Sequence, residues 1–327
     1  MKPIRSGTSL VTLALILSAA TSHAVIVAGA NGGGNNTNNT TRAQLEIQQG
    51  RSAGFYDNVI NYSDATGIYL GYVGGTPNVW VMSAGHVTAD NSDLSIAGLP
   101  YTFQQRTYIS NGDIQLIRYS RVDSAVPTFG AVKLATSVPV ANASLVLAGI
   151  GLNRTENAAT SALVSDATST GAGTGYHWNV TRIKRFGTNN VFADFPDSLE
   201  IPPHQSGTLG TINFNSGTTT AFYTQFDSPS AGGFLTSNEA TGSLGDSGGG
   251  AFRFNGSEYE LAGIFTSVTS FTGQDANSSA FLTGSVLTDI STYSSQILSV
   301  TGTLIPEPTA TGMFGFGLIL LTLRRKR

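Results

Sequence analysis

Gly245-Asp246-Ser247-Gly248-Gly249-Gly250 is the stretch on which the reading turns, together with the residues just after it. Glycines on both sides of one serine let the backbone take tight conformations and let another chain come close. The N–H groups of Gly245 and Ser247 can then converge on one point and stabilise an oxyanion. Beyond the glycines, Phe252 and Phe254 lead through Asn255-Gly256 into Tyr259 to Phe265. Asn-Gly between two such runs is the strongest short-range hairpin signal. The serine is therefore expected on a loop that enters a β-hairpin.

Working outward, the same texture continues. Gly67 to Val73 and Asn78 to Met82 flank a Gly-Gly-Thr-Pro turn, and Ile114 to Tyr119, Ser144 to Ile150 and Thr219 to Phe226 read as further strands. Helical periodicity is scarce, with Ser291 to Leu298 the best short candidate. The class is all-β, a barrel or a sandwich.

Chain order narrows the chemistry. The serine stretch also fits the loose Gly-x-Ser-x-Gly pattern of α/β-hydrolases, but those need a helix after the serine and a histidine later still. His23, His86, His177 and His204 all precede Ser247. A subtilisin order needs an acid before its histidine and a helix at the serine, and nothing in the chain supports it. The order left is His, Asp, Ser. His177 and His204 read as loop histidines, and Asp90 and Asp93 are fallback acids close behind His86.

Val81-Met-Ser-Ala-Gly-His86 resembles the strand ending in Thr-Ala-Ala-His of trypsin/chymotrypsin-type serine proteases. Asp113-Ile-Gln-Leu-Ile resembles their Asp-Ile-Ala-Leu-Leu, Gly245 to Gly249 reproduces Gly-Asp-Ser-Gly-Gly, and Leu261-Ala-Gly-Ile-Phe265 resembles Leu-Val-Gly-Ile-Val. Val286 to Ile297 is similar to the closing strand and helix, with Tyr293 in place. The resemblance runs from about Gly67 to Ile297. It implies two packed six-stranded antiparallel β-barrels with a short C-terminal helix. It also implies a triad of His86 (base), Asp113 (orienting acid) and Ser247 (nucleophile), with Gly245 and Ser247 forming the oxyanion hole. Polypeptide is the implied substrate, with no metal or cofactor. The primary pocket would have Thr241 as its floor, with Val268 and Ser285 as walls, and would suit small uncharged side chains. A catalytically weak or inactive cell-surface or matrix binding protein on the same scaffold is the competing reading. The chain departs from the family at Gly250, where Pro is customary, and in lacking Cys. It also lacks an Ile-Val-Gly-Gly start after a basic site, so other groups are expected to hold Asp246.

The ends carry signals of their own. Residues 1–24 read as a secretory signal: Lys2 and Arg5, an apolar run from Leu10 to Ala20, then Ser22-His23-Ala24 at a plausible cleavage point. Residues 25–66 read as a linker or propeptide-like segment, with Ala30 to Thr41 a Gly/Asn-rich linker. Residues 67–300 form the expected protease-like domain. Residues 301–327 contain Pro306-Glu307-Pro308, an apolar stretch from Thr309 to Leu323, and Arg324-Arg325-Lys326-Arg327. A helix of that stretch covers roughly 22 Å, short of a bilayer core of about 30 Å, and the basic end resists translocation. This tail resembles the PEP-CTERM sorting signal of Gram-negative bacteria. The resemblance implies transient inner-membrane insertion, processing by an exosortase-type enzyme, and release at or beyond the cell surface. Between the two ends lie 11 Lys and Arg against 19 Asp and Glu, a net charge of −8 that argues against a nucleic-acid binder. With no Cys in the chain, zinc–thiolate chemistry and disulfides are both excluded.

Overall fold

The structure is a computed structural model, and it describes residues 25–28, 39–73, 78–123, 126–155, 174–196, 199, 207–214, 217–228, 236–271 and 273–305. The expected secretory signal, the Gly/Asn-rich linker before Asn39 and the apolar tail lie outside the described residues. Among the described residues no helix is long and apolar enough to cross a membrane.

The chain forms two antiparallel β-barrels. In the first, hydrogen bonding runs in the order Val59–Tyr62, Ala65–Val73, Asn78–Ser83, Gln115–Ser120, Leu99–Tyr108, Leu94–Ile96. Curling brings the edges close enough for Arg106 Nη2 to donate to the Tyr62 hydroxyl at 3.2 Å. In the second, the order is Arg185–Asn190, Ser144–Gly149, Gly250–Phe254, Tyr259–Val268, Gly284–Asp289, Gly217–Gln225, Leu209–Phe214. The Phe192 N–H donates to the Tyr223 carbonyl at 2.8 Å, drawing the far ends of that sheet together. This path counts seven strands, one more than the minimal six.

Period-two patterning decides what each face buries. Val79, Val81, Ile117 and Tyr119 point into the first barrel with Tyr69 and Tyr101. Their neighbours Trp80, Met82 and Leu116 point outward, yet they too are buried, against Phe252, Leu261 and Ile264 of the second barrel. Strands with both faces covered read as continuous apolar runs, as Ala65–Val73 does. Leu145, Leu147, Phe222, Ala251, Phe265 and Leu287 fill the second barrel. Each fully buried Leu, Ile or Phe contributes about 1.5–3 kcal/mol, so the layer between the barrels stands in for the absent disulfides.

The C-terminal helix spans Ile290–Thr301. Asp289 caps it, its side chain accepting from the Thr292 N–H, and Ile290, Tyr293 and Ile297 seat it on the layer between the barrels. Leu304–Ile305 then pairs with Tyr72 and Val73. At the other end, Ile26–Val27 pairs with Ala240–Thr241. The helix Arg42–Gln49 starts with a capping box between Thr41 and Gln44 and ends at Gly50, φ 63°. The ordered body therefore extends upstream of Gly67.

Candidate active site

The register of two neighbouring strands brings the first two candidate residues together. Asn78–Ser83 and Gln115–Ser120 pair with Ser83 opposite Gln115, so His86 lies just past the end of one strand and Asp113 just before the start of the other. Gln115 holds the turn between them, its Nε2 donating to the Ala84 and Val87 carbonyls at 2.7 and 2.8 Å. The Asp113 carboxylate accepts from the His86 backbone N–H through Oδ1 at 2.8 Å and from the ring through Oδ2, Nδ1···Oδ2 2.9 Å. An ionised carboxylate only accepts, so Nδ1 carries the ring proton and Nε2 is left as an acceptor. Nε2 lies 2.8 Å from Ser247 Oγ. The Asp113 side chain is 1% exposed and that of His86 20%. The acid is dry, while the imidazole faces the cleft. Asp90 and Asp93 do not enter this arrangement: Asp90 takes a bond from Ser92 and Asp93 from Phe103 N–H.

Behind Asp113 the Thr219 hydroxyl accepts the acid's own N–H at 3.1 Å, and Thr288 joins Thr219 and Thr266 in a buried hydroxyl chain. Tyr293, from the C-terminal helix, donates to the Asn111 carbonyl and accepts the Thr220 N–H at 2.8 Å. A Cβ on Gly112 would sit 2.9 Å from that ring, so the residue before Asp113 must be glycine. Gln115 and these threonines escaped the sequence reading. Gln115 left a signal, a polar residue in an otherwise apolar Asp-Ile-x-Leu pattern.

The serine loop is wedged between the barrels. The Ser247 carbonyl accepts the Thr66 N–H from the first barrel at 3.0 Å, and the Gly248 N–H donates to Phe265 of the second at 2.9 Å. Gly248 has φ 81°, and a Cβ there would lie 2.3 Å from Ser83 Oγ, so no other residue fits. Gly245 also has a left-handed φ, 93°. Asp246 is fully buried, and its carboxylate accepts Gly151 N–H at 2.8 Å, Ser243 N–H at 2.7 Å and Ser243 Oγ at 2.9 Å. The Val25 N–H also donates to it. Desolvation dominates these bonds and pushes the Asp246 carboxyl up to about 6.

The three pocket candidates meet. Thr241 Oγ1 and Ser285 Oγ are 3.0 Å apart, Ser285 also accepts the Gly242 N–H at 2.9 Å, and Val268 pairs with Ser285 across the sheet. Thr241 is 2% exposed and Ser285 is fully buried. A Cβ on Gly242 would meet the Phe265 ring at 2.9 Å and Val268 Cγ1 at 3.1 Å, so both side chains pack close over Gly242. Beside His86 and Asp113 opens a cleft of about 540 Å³, walled by Thr88, Tyr108, Ser110, Asn111 and Thr218. His177 lies elsewhere, 3.3 Å from Asp275 on an exposed face. His204 is outside the described residues. Among the described residues no cluster of His, Asp and Glu suits a metal ion.

Two packed barrels with a C-terminal helix and a Ser–His–Asp line between them define a chymotrypsin-like scaffold. No family model and no curated protein matches the chain. Among solved structures, kallikrein-related peptidase 10 is similar at 12% identity and TM-score 0.41, covering 76% of this chain and 96% of its own. The NS6 protease of murine norovirus is similar at 13% identity and TM-score 0.37, covering 72% and 93%.

Proposed function

We propose that the chain is a serine endopeptidase that hydrolyses peptide bonds through an acyl-enzyme on Ser247. The observation that carries this reading is the unbroken line Asp113–His86–Ser247, with links of 2.9 and 2.8 Å and a dry acid at its end. Ser247 Oγ attacks the scissile carbonyl carbon while its proton passes to His86 Nε2. Asp113 keeps the ring in the required tautomer and stabilises the imidazolium. The carbonyl oxygen becomes an oxyanion held by the Gly245 and Ser247 N–H groups. The C–N bond then breaks, the amine leaves with the proton from Nε2, and the acyl group stays on Oγ. Water, giving its proton to His86 Nε2, then attacks the acyl carbon; the C–Oγ bond breaks, Oγ takes the proton back from Nε2, and the carboxylic acid product leaves.

The uncharged floor at Thr241, the Thr241–Ser285 hydrogen bond and the Val268 side chain over Gly242 support cleavage after small uncharged residues. The N-terminal and C-terminal signals support export, with transient insertion of the tail in the inner membrane and trimming by an exosortase-type enzyme. Hydrolysis of a peptide amide by wild type, Ser247→Ala, His86→Ala and the double variant tests the mechanism. Members of a triad act as a unit, so the double variant should lose little more than either single one. Near-normal turnover by correctly folded Ser247→Ala would refute it.

A further inference from the structure

We propose that Thr66 is the positioning residue of the oxyanion hole; this role rests on the serine endopeptidase reading above. The two N–H groups of the hole belong to the peptide planes before Gly245 and before Ser247. A third plane, the Gly245 carbonyl with the Asp246 N–H, lies between them. Gly245 has φ 93°, a region open to glycine and poorly tolerated by side chains. With no Cβ to restrict it, the backbone there turns easily, and the middle plane must be held from outside if its neighbours are to keep their aim.

Thr66 supplies that hold. Its Oγ1 donates to the Gly245 carbonyl at 2.9 Å and accepts the Ile150 N–H at 2.8 Å. The second bond occupies the acceptor side of the hydroxyl and steers its only proton to Gly245. The Thr66 backbone N–H donates to the Ser247 carbonyl at 3.0 Å, so one residue grips the loop at both ends of Gly245–Ser247. The Thr66 carbonyl in turn accepts Ser83 Oγ at 2.7 Å, three residues before His86. Thr66 is wholly buried, which removes water as a competitor for these bonds. The Asp246 N–H, bound to the Ser243 carbonyl at 3.1 Å, fixes the other edge of the plane, and Arg182 Nη2 adds a longer contact to the Gly245 carbonyl at 3.4 Å. Thr66 touches none of the reacting atoms and acts through the carbonyls of Gly245 and Ser247.

The test compares Thr66→Val, which keeps the shape and loses the proton, with Thr66→Ser, which keeps the hydroxyl. Both are measured beside wild type for kcat, KM, fluorophosphonate labelling and melting temperature. Thr66→Val should lower kcat roughly tenfold or more with KM little changed, short of the 10²–10³-fold loss from deleting an oxyanion donor outright. Thr66→Ser should restore kcat to within about threefold of wild type. A merely structural role would lower the melting temperature in Thr66→Val without moving kcat of the folded fraction, and that result overturns the assignment. If Thr66→Val does not fold, Thr66→Ala, which removes the same proton and adds no bulk, should lower kcat in the same way with KM little changed; unchanged kcat there overturns it too. A wild-type chain that neither labels nor hydrolyses would defeat the endopeptidase reading and this role with it. An active wild type with an indifferent Thr66→Val defeats this role alone.

Discussion

Replacing Glu239 by Gln should flatten the pH dependence of stability between about pH 5 and pH 8. Glu239 is fully buried directly before the pocket-floor strand Ala240–Thr241. Its carboxyl is pushed up to about 8. Desolvation is the leading cause, opposed by bonds from the Thr236 N–H at 3.0 Å and the Asp227 N–H at 3.3 Å, while the charge of Asp227 adds to the rise. An unfolded Glu titrates near its ordinary 4.5, so between 4.5 and 8 the folded chain holds a proton that the unfolded chain has lost. Stability from this group is therefore complete below 4.5 and falls as pH rises towards 8. Every tenfold gain in proton affinity on folding corresponds to about 1.4 kcal/mol, which makes the whole effect a few kcal/mol after allowing for relaxation. Asp246, pushed up to about 6, changes in the same direction over a lower window, 3.8 to 6. Urea unfolding at pH 5 and pH 8.5 reads the difference, and Glu239→Gln removes the Glu239 share throughout that range, leaving only the Asp246 share below about pH 6. Equal slopes in wild type and Glu239→Gln would refute the reasoning, as would a wild type that gains stability on going from pH 5 to 8.5.

A panel of peptide amides varied only at the residue before the scissile bond should show preference for Ala, Val or Thr. A buried Lys or Arg would face Thr241 and Ser285 with no counter-charge, at a cost of several kcal/mol, and preference for either, or for Phe, sinks the pocket assignment. Exported protein from a host with an exosortase should end within residues 306–308 by intact mass; Arg327 retained on the exported form contradicts the sorting proposal. Val25 is a β-branched residue held at φ 50° with its N–H on Asp246. A chain that begins at Val25 escapes that torsion and sets an ammonium against the carboxylate. It should melt at least a few degrees higher at pH 7 than a chain carrying residues 23 and 24, and equal melting would remove the argument.

Much of the second barrel was legible because its strands announce themselves locally. The run through Asn255-Gly256 does form the hairpin of Gly250–Phe254 with Tyr259–Val268. Its loop is a four-residue turn in which the Asn255 side chain accepts the Ser257 and Glu258 N–H groups, so Asn-Gly acts through its side chain and through Gly256 at φ 104°. The helix foreseen at Ser291 to Leu298 appears as Ile290–Thr301, its start set by Asp289. Leu94–Ile96 with Leu99–Tyr108, and Arg185–Asn190, were not foreseen: their runs are mixed polar and apolar, and pairing with neighbours supplies the order that propensity lacks. The helix Arg42–Gln49 was also missed, though Thr41-x-x-Gln44 and Gly50 mark both its ends. That His86, Asp113 and Ser247 meet was legible because each stands in a motif of local sequence. Thr66 was not, because its role exists only where the loop at Gly245 folds back across 179 residues of chain onto the first barrel.

Whether Ser247 is activated by His86 is the central claim, and intact-mass analysis after treatment with a fluorophosphonate probe tests it most directly. Wild type should gain the mass of one probe at Ser247, Ser247→Ala none, and His86→Ala should react only at a small fraction of the wild-type rate. Equal labelling of wild type and folded His86→Ala, or no labelling of folded wild type, would contradict the account.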